Sequence, residues 1–170
     1  MKHFIVIDLQ NDFVTGTLAN PAAAATIPYV KEKLLEARKN GDNIIFTRDT
    51  HAENYMETME GKYLPVKHCV KGSEGWEIVP ELAELIDDDT LIVDKGNFGY
   101  TGWDEYIKPG DEVTICGTVS EICVCSNFSA IKAIGEVDVT VLEKGCSGLS
   151  KEGHEAAMTV MKAQQGNIIL

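Results

Sequence analysis

Short apolar runs alternate with amphipathic stretches from one end of this chain to the other. His3 to Asp8 is a continuous apolar run closed by an acid, the pattern of a buried parallel strand. Ile27 to Lys39 carries Ile27, Val30, Leu34 and Leu35 at helical spacing, with Pro28 in the first turn and Asn40-Gly41 as the stop. Asn43 to Thr47 reads as a second strand that runs into Arg48-Asp49-Thr50-His51. Val79 to Ile86 predicts a short helix introduced by Pro80, and Thr90 to Asp94 a third strand with Lys95 at its tip. Glu112 to Cys116 is the fourth strand, followed by a turn from Gly117 to Cys125 and a helix over Ser126 to Ile134. Val137 to Leu142 is the fifth strand, and Asn167 to Leu170 closes the chain as a sixth. Between them Lys151 to Gln164 predicts a helix with Ala156, Ala157, Val160 and Met161 inward.

Two stretches have no period. Ala52 to Glu77 holds Gly61, Pro65, Gly72 and Gly75, and its histidine and aromatic content marks a functional loop. Gly96 to Gly102 is rich in glycine and aromatics, and a short segment from Trp103 to Ile107 precedes the Pro109-Gly110 turn.

Strands alternating with helices predict an α/β fold, a doubly wound and mainly parallel sheet in a single domain of 170 residues. Such sheets bind ligands at the carboxyl ends of their strands. Four tips here end in reactive groups: Asp8, Asp49 with His51, Lys95, and the turn to Cys123. No G-x-G-x-x-G follows the first strand and no Walker A is present, which sets a nucleotide aside. The formal net charge of −12 argues against nucleic acid and against anionic membrane surfaces. Phe4 to Ile7 is too short an apolar run for a signal peptide or a span, so a cytoplasmic protein is expected. Five cysteines, an odd count, argue against a disulfide framework.

Cys123 is the candidate nucleophile. At a strand-to-helix turn the N–H groups of a helix start lower a thiol's pKa and can stabilise an oxyanion. Lys95 and Asp8 both end apolar runs, where an unpaired charge is costly, and pairing them beside the thiol satisfies both. An ammonium favours the thiolate, and a carboxylate can take the proton. Asp49, His51 and His68 suit a divalent ion, with zinc expected and positions left open for water or substrate. Glu60 is the preferred fourth ligand; Glu57 and Glu53 are also available, and spacing does not choose among them. His3 and His154 read as surface or structural, Cys69 as packed, Cys116 as part of its strand and Cys146 as part of a glycine-flanked loop.

These residues resemble the isochorismatase-like cysteine hydrolases, and among them the nicotinamidases. The resemblance spans nearly the whole chain. It rests on Asp8-Leu9-Gln10-Asn11-Asp12-Phe13, Asp49-x-His51, His68 to Gly75, Lys95, and Gly117 to Val124. It implies a six-stranded sheet flanked by helices and a triad of Asp8, Lys95 and Cys123. In that triad Cys123 attacks a carbonyl carbon, Asp8 moves the proton and Lys95 stabilises the thiolate. It further implies an oxyanion hole from the N–H groups of Val119 and Cys123, shaped by a cis Thr118-Val119 bond. The zinc-type ion of nicotinamidases, held by residues matching Asp49, His51, His68 and in some members Glu60, binds the pyridine nitrogen. Phe13 forms one side of the ring pocket. Family members often place an aromatic just before the second histidine, where this chain has Leu64-Pro65-Val66-Lys67, so Tyr63, Phe98, Tyr100 or Trp103 is expected to supply the second ring.

The implied activity is hydrolysis of a small amide, foremost nicotinamide, with family habit pointing to dimers or tetramers. Other readings are another member's substrate, such as a carbamoyl or ureido compound or isochorismate, and a non-catalytic metal-binding or thiol redox module using Cys123 and Cys125.

Overall fold

The computed structural model describes residues 1–170. Six strands form one sheet: β1 (Lys2–Ile7), β2 (Asn43–Asp49), β3 (Leu91–Lys95), β4 (Glu112–Thr118), β5 (Asp138–Ser147) and β6 (Asn167–Ile169). Their order is β3-β2-β1-β4-β5-β6, and every neighbouring pair is parallel. Ile5, Val6 and Ile7 of β1 are fully buried, as expected of a central strand covered on both faces. The helices are α1 (Asn11–Val14), α2 (Pro21–Asn40), α3 (Met59–Tyr63), α4 (Pro80–Ala83), α5 (Cys125–Lys132) and α6 (Lys151–Ala163).

The chain winds one way from β1 through β2 to β3, then crosses back and winds the other way from β4 to β6. Helix α2 packs against β1, β2, β4 and β5, whereas α5 and α6 pack on each other and against β5. The right-handed rule for parallel crossovers sends connections that wind in opposite directions to opposite faces. The order reverses between β1 and β4, whose registers pair Ile5 with Ile115 and Ile7 with Gly117. A crevice opens outside the strand ends at such a reversal. Asp8 follows β1 and the cysteine turn follows β4, so both reach that crevice.

Several boundaries differ from the sequence pattern. Helix α2 begins at Pro21, capped by the Asn20 side chain on the Ala22 N–H, rather than at Ile27. Pro28 therefore lies inside the helix, not in its first turn. Ile27, Val30 and Leu34 are buried, whereas Leu35 is exposed. Strand β5 continues through the polar Glu143-Lys144 to Ser147, because a register shift against β4 re-pairs Gly117 with Cys146 and Thr118 with Ser147. Cys146 is thus a buried strand residue and not part of a loop. In α6 the inward positions are Ala157, Met158 and Met161; Ala156 and Val160 face outward. No helix is long and apolar enough to cross a membrane.

Candidate active site

Asp8 leaves β1 in the left-handed region, at φ 49°, a conformation that aspartate tolerates better than most residues. Its N–H donates to Thr47 Oγ1 at 3.2 Å, and the same hydroxyl donates to Asp8 Oδ1 at 2.5 Å. The β2–β3 register sets Asp49 beside Lys95. The Lys95 ammonium lies 2.6 Å from Asp8 Oδ2, 3.7 Å from Asp49 Oδ1 and 3.7 Å from Cys123 Sγ. All four side chains are buried. Three strands and the turn after β4 thus bring together the acid, the ammonium and the thiol that the sequence singles out.

Cys123 sits in a single π turn, Ser120–Val124, between β4 and α5. The Thr118-Val119 bond that enters this turn is cis. Asn127, buried on α5, fastens the turn from behind. Its Nδ2 donates to the Cys123 carbonyl at 2.8 Å and to the Phe98 carbonyl at 3.0 Å, while its Oδ1 accepts the Tyr100 N–H and Trp103 Nε1–H, both at 2.9 Å. Sequence reasoning misses Asn127. Its signal is a lone amide among the apolar inward positions of a helix that follows a nucleophile.

Burial pushes the Cys123 thiol well above its ordinary range, and the Asp8 charge adds to this against the opposing pull of Lys95. The lowering expected from a helix start is outweighed. Burial also pushes Asp8 up, with Lys95 opposing and Asp49 reinforcing the shift. Burial alone would lower Lys95, but the charges of Asp8, Cys123 and Asp49 overcome it and hold the ammonium charged. The resting arrangement is a neutral thiol beside an Asp8–Lys95 ion pair, with a carboxylate readier than usual to take a proton.

Beside Asp8, Lys95 and Cys123 lies a second cluster. Asp49, His51, Glu60 and His68 each offer one ligand atom, all within 4.8 Å of one another. Asp49 Oδ2 is 2.9 Å from His51 Nε2 and 3.4 Å from His68 Nε2; Glu60 Oε1 is 3.7 Å and 3.6 Å from the same two nitrogens. Ligand atoms on a tetrahedral zinc-sized ion, with bonds of about 2.0–2.1 Å, lie about 3.3–3.4 Å apart, and the four carboxylate–imidazole separations straddle that spacing. His68 Nδ1 donates to the Val66 carbonyl at 2.7 Å, which turns Nε2 toward the cluster as the nitrogen that would give its lone pair to an ion in place of the proton it shares with Asp49. Asp49 Oδ1 is buried with no hydrogen-bond partner. Burial would raise the Asp49 carboxyl, but hydrogen bonds from His51 and His68 and the charge of Lys95 hold it well below the usual range. Two imidazoles and two carboxylates, one held ionised, suit a divalent ion. Chain path selects among the glutamates: Glu60 joins the cluster from α3, whereas Glu53 pairs with Lys67 at the surface and Glu57 stays outside the set.

Both clusters open into one cavity of about 330 Å³. Phe13, Leu64 and Phe98 line it together with Asp49, Glu60, His68, Thr118, Val119 and Cys123. Tyr100 and Trp103 do not. Trp103 is a buried core residue whose N–H is taken by Asn127, and Tyr100 stacks edge-on against it with centroids 5.4 Å apart. Tyr63 projects into solvent at 84% exposure, so Leu64 takes the wall position on this loop. The rest of the lining is unforeseen: Thr17 to Asn20, Ile122 and Leu149.

The isochorismatase domain model matches residues 2–170. The nicotinamidase of Saccharomyces cerevisiae is 27% identical, covering 84% of this chain and 87% of that one. The nicotinamidase/pyrazinamidase of Mycobacterium tuberculosis is 28% identical, covering 99% of this chain and 98% of that one. The crystal structure of the pyrazinamidase of Pyrococcus horikoshii in complex with zinc superposes with a TM-score of 0.84 at 28% identity, over 99% of this chain and 98% of that one. A domain match from residue 2 to residue 170, on a sheet of this order with a cysteine at its switch point, places the chain in the isochorismatase family.

Proposed function

We propose that this protein is a metal-dependent nicotinamidase that hydrolyses nicotinamide to nicotinate and ammonia through a thioester on Cys123. One observation carries the reading: a single cavity is lined by Cys123 and by Asp49, Glu60 and His68 of the metal-type cluster. The carboxamide of a pyridine ring and its ring nitrogen are a pair of groups that such a cavity can hold at once. The relatives named nicotinamidase support the same substrate.

In this mechanism Cys123 Sγ attacks the amide carbon as the thiol proton passes to Asp8. The π electrons of the carbonyl move to oxygen, where the Val119 and Cys123 N–H groups receive the oxyanion. The C–N bond breaks, Asp8 returns the proton to the leaving nitrogen, and ammonia departs. Water then attacks the thioester with Asp8 again taking the proton, and the C–S bond breaks as Asp8 passes that proton to the departing sulfur, regenerating the thiol. Lys95 stays charged throughout and keeps Asp8 ionised between proton transfers. Phe13 and Phe98 offer apolar walls for the ring. Asp49, His51, Glu60 and His68 would hold a zinc ion, which supplies a Lewis-acid contact that fixes the ring nitrogen.

The test is ammonia release from nicotinamide by the purified protein, with and without chelator, beside Cys123→Ala. Release that chelation suppresses and the substitution abolishes is the expected result. Absence of release from zinc-loaded wild-type protein would overturn nicotinamide as the substrate. Turnover that survives in Cys123→Ala would overturn the thioester route.

A further inference from the structure

Between Asp8 and Phe13 lie two buried polar side chains that the proposed reaction leaves unused, Gln10 and Asp12. Gln10 engages both polar groups of one residue: its Oε1 accepts the Asp49 N–H at 2.7 Å, and its Nε2 donates to the Asp49 carbonyl at 2.9 Å. The same Nε2 donates to the Trp76 carbonyl at 2.8 Å, so both amide hydrogens are placed. Asp12 Oδ2 accepts the Cys69 N–H at 2.8 Å, and its Oδ1 accepts the Thr17 N–H at 3.2 Å. Cys69 directly follows His68 and stands at φ 46°, a left-handed conformation that an L residue adopts at a cost. Its carbonyl accepts the His51 N–H at 2.9 Å. The residue gripped by Asp12 is therefore the one whose carbonyl holds His51 and whose N–H follows directly on His68. Two glycines confine the grip: a Cβ on Gly75 would lie 2.2 Å from Asp12 Oδ2, and one on Gly16 2.4 Å from Oδ1.

We propose that Gln10 and Asp12 are positioning residues for the metal site, Gln10 setting Asp49 and Asp12 setting His68 through the backbone. One short segment then spaces the ligands while it presents Asp8 to the thiol. The inference rests on the metal-site reading above. Neither side chain touches a ligand atom, and its action passes through the peptides of Asp49 and Cys69. Near-isosteric changes are enough to break it. Gln10→Glu turns a donor shared by two carbonyls into an acceptor, and Asp12→Asn sets an NH₂ group against a backbone N–H. Gly75→Ala crowds the Asp12 carboxylate without altering its chemistry.

The test is zinc affinity measured by competition with a chromophoric chelator, for wild type and the three variants. Thermal unfolding with and without zinc, and kcat and KM for nicotinamide, accompany it. Groups that orient metal ligands contribute about 10–100-fold in affinity, and a loss of that size is expected in each variant, with kcat recovering at saturating zinc. Folded variants that bind zinc as tightly as wild type overturn the proposal. A lowered melting temperature with unchanged zinc affinity also overturns it, because the two residues would then be structural supports alone. Wild-type protein that binds no zinc refutes the metal-site reading itself, which separates that failure from this one.

Discussion

Replacing Lys95 with methionine keeps most of the side-chain volume and removes the charge. The ammonium lies 2.6 Å from Asp8 with both groups buried. At that separation two unit charges attract by about 6 kcal/mol at an effective dielectric near 20. Much of the attraction offsets the desolvation of the two ions, so the intact pair adds little net stability. Deleting one partner is different, and leaves a penalty of about 3–5 kcal/mol while Asp8 remains ionised. Asp8 escapes that penalty by taking up a proton, in the direction that burial already pushes it. A carboxyl with a folded pKa above its unfolded value of about 4 binds its proton more tightly when folded. Lys95→Met therefore matches the parent best near about pH 4 and loses stability relative to it as pH rises toward the new folded pKa. Urea denaturation across this range, read alongside turnover, is the assay. The stability gap widens with pH to about 3–5 kcal/mol or until proton uptake caps it, and turnover at neutral pH falls by about 10²–10⁴-fold because a protonated Asp8 cannot accept the thiol proton. A gap that stays flat with pH, together with retained turnover, would refute the assignment of Lys95 as the ion-pair partner of the base.

In the wild type, burial and the nearby Asp49 charge raise Asp8, so the acid limb of the kcat/KM profile falls above the ordinary aspartate value of about 4. A limb at or below that value would contradict the role given to Asp8. At the other end of the sheet the N-terminal ammonium, the Lys108 N–H at 2.8 Å and His3 hold the Asp111 carboxyl down at about 2. A lowered carboxyl contributes stability above its unfolded pKa that is lost as pH falls through the folded one. Thermal melts should accordingly show Asp111→Asn less stable than wild type at neutral pH, with the difference closing toward about pH 2. Gly117 stands at φ 128°, and a Cβ there would lie 2.1 Å from the Ile7 carbonyl oxygen of the adjacent strand. Gly117→Ala should cost about 2–4 kcal/mol in chemical denaturation, from a strained φ and from crowding between β1 and β4.

Asp8, Lys95 and the cysteine turn are legible in the sequence because each closes an apolar run, where a charge or a thiol needs a partner. The adjacency of Asp49 and Lys95 follows from two neighbouring parallel strands ending level. The choice of Glu60 over Glu53 and Glu57 is not legible, since an irregular loop has no period and only its path brings one carboxylate to the histidines. The start of α2 hides in Ala22 to Ala25, where a run of alanines shows no contrast between faces. Trp103 reads as a cavity aromatic because a ring among glycines has the same pattern whether it lines a cavity or packs a core. Its partner Asn127 decides the matter from a different element. Leu149 belongs to a loop with no pattern of its own and reaches the cavity beside the cysteine turn, where Glu121 Oε1 accepts its N–H at 2.9 Å.

The central strand also dictates when this protein can begin to work. β1 pairs on one side with β2, close by in sequence, and on the other with β4, where Lys2 meets Glu112 across most of the chain. The near pairing needs one helical crossover. The far pairing must wait until the intervening chain has been looped back, the kind of non-local closure that slows folding. Asp8 and Cys123 lie on opposite sides of that closure. In a refolding experiment, helical signal should therefore return before amide hydrolysis, and neither half of the chain alone can assemble the thiol with its base.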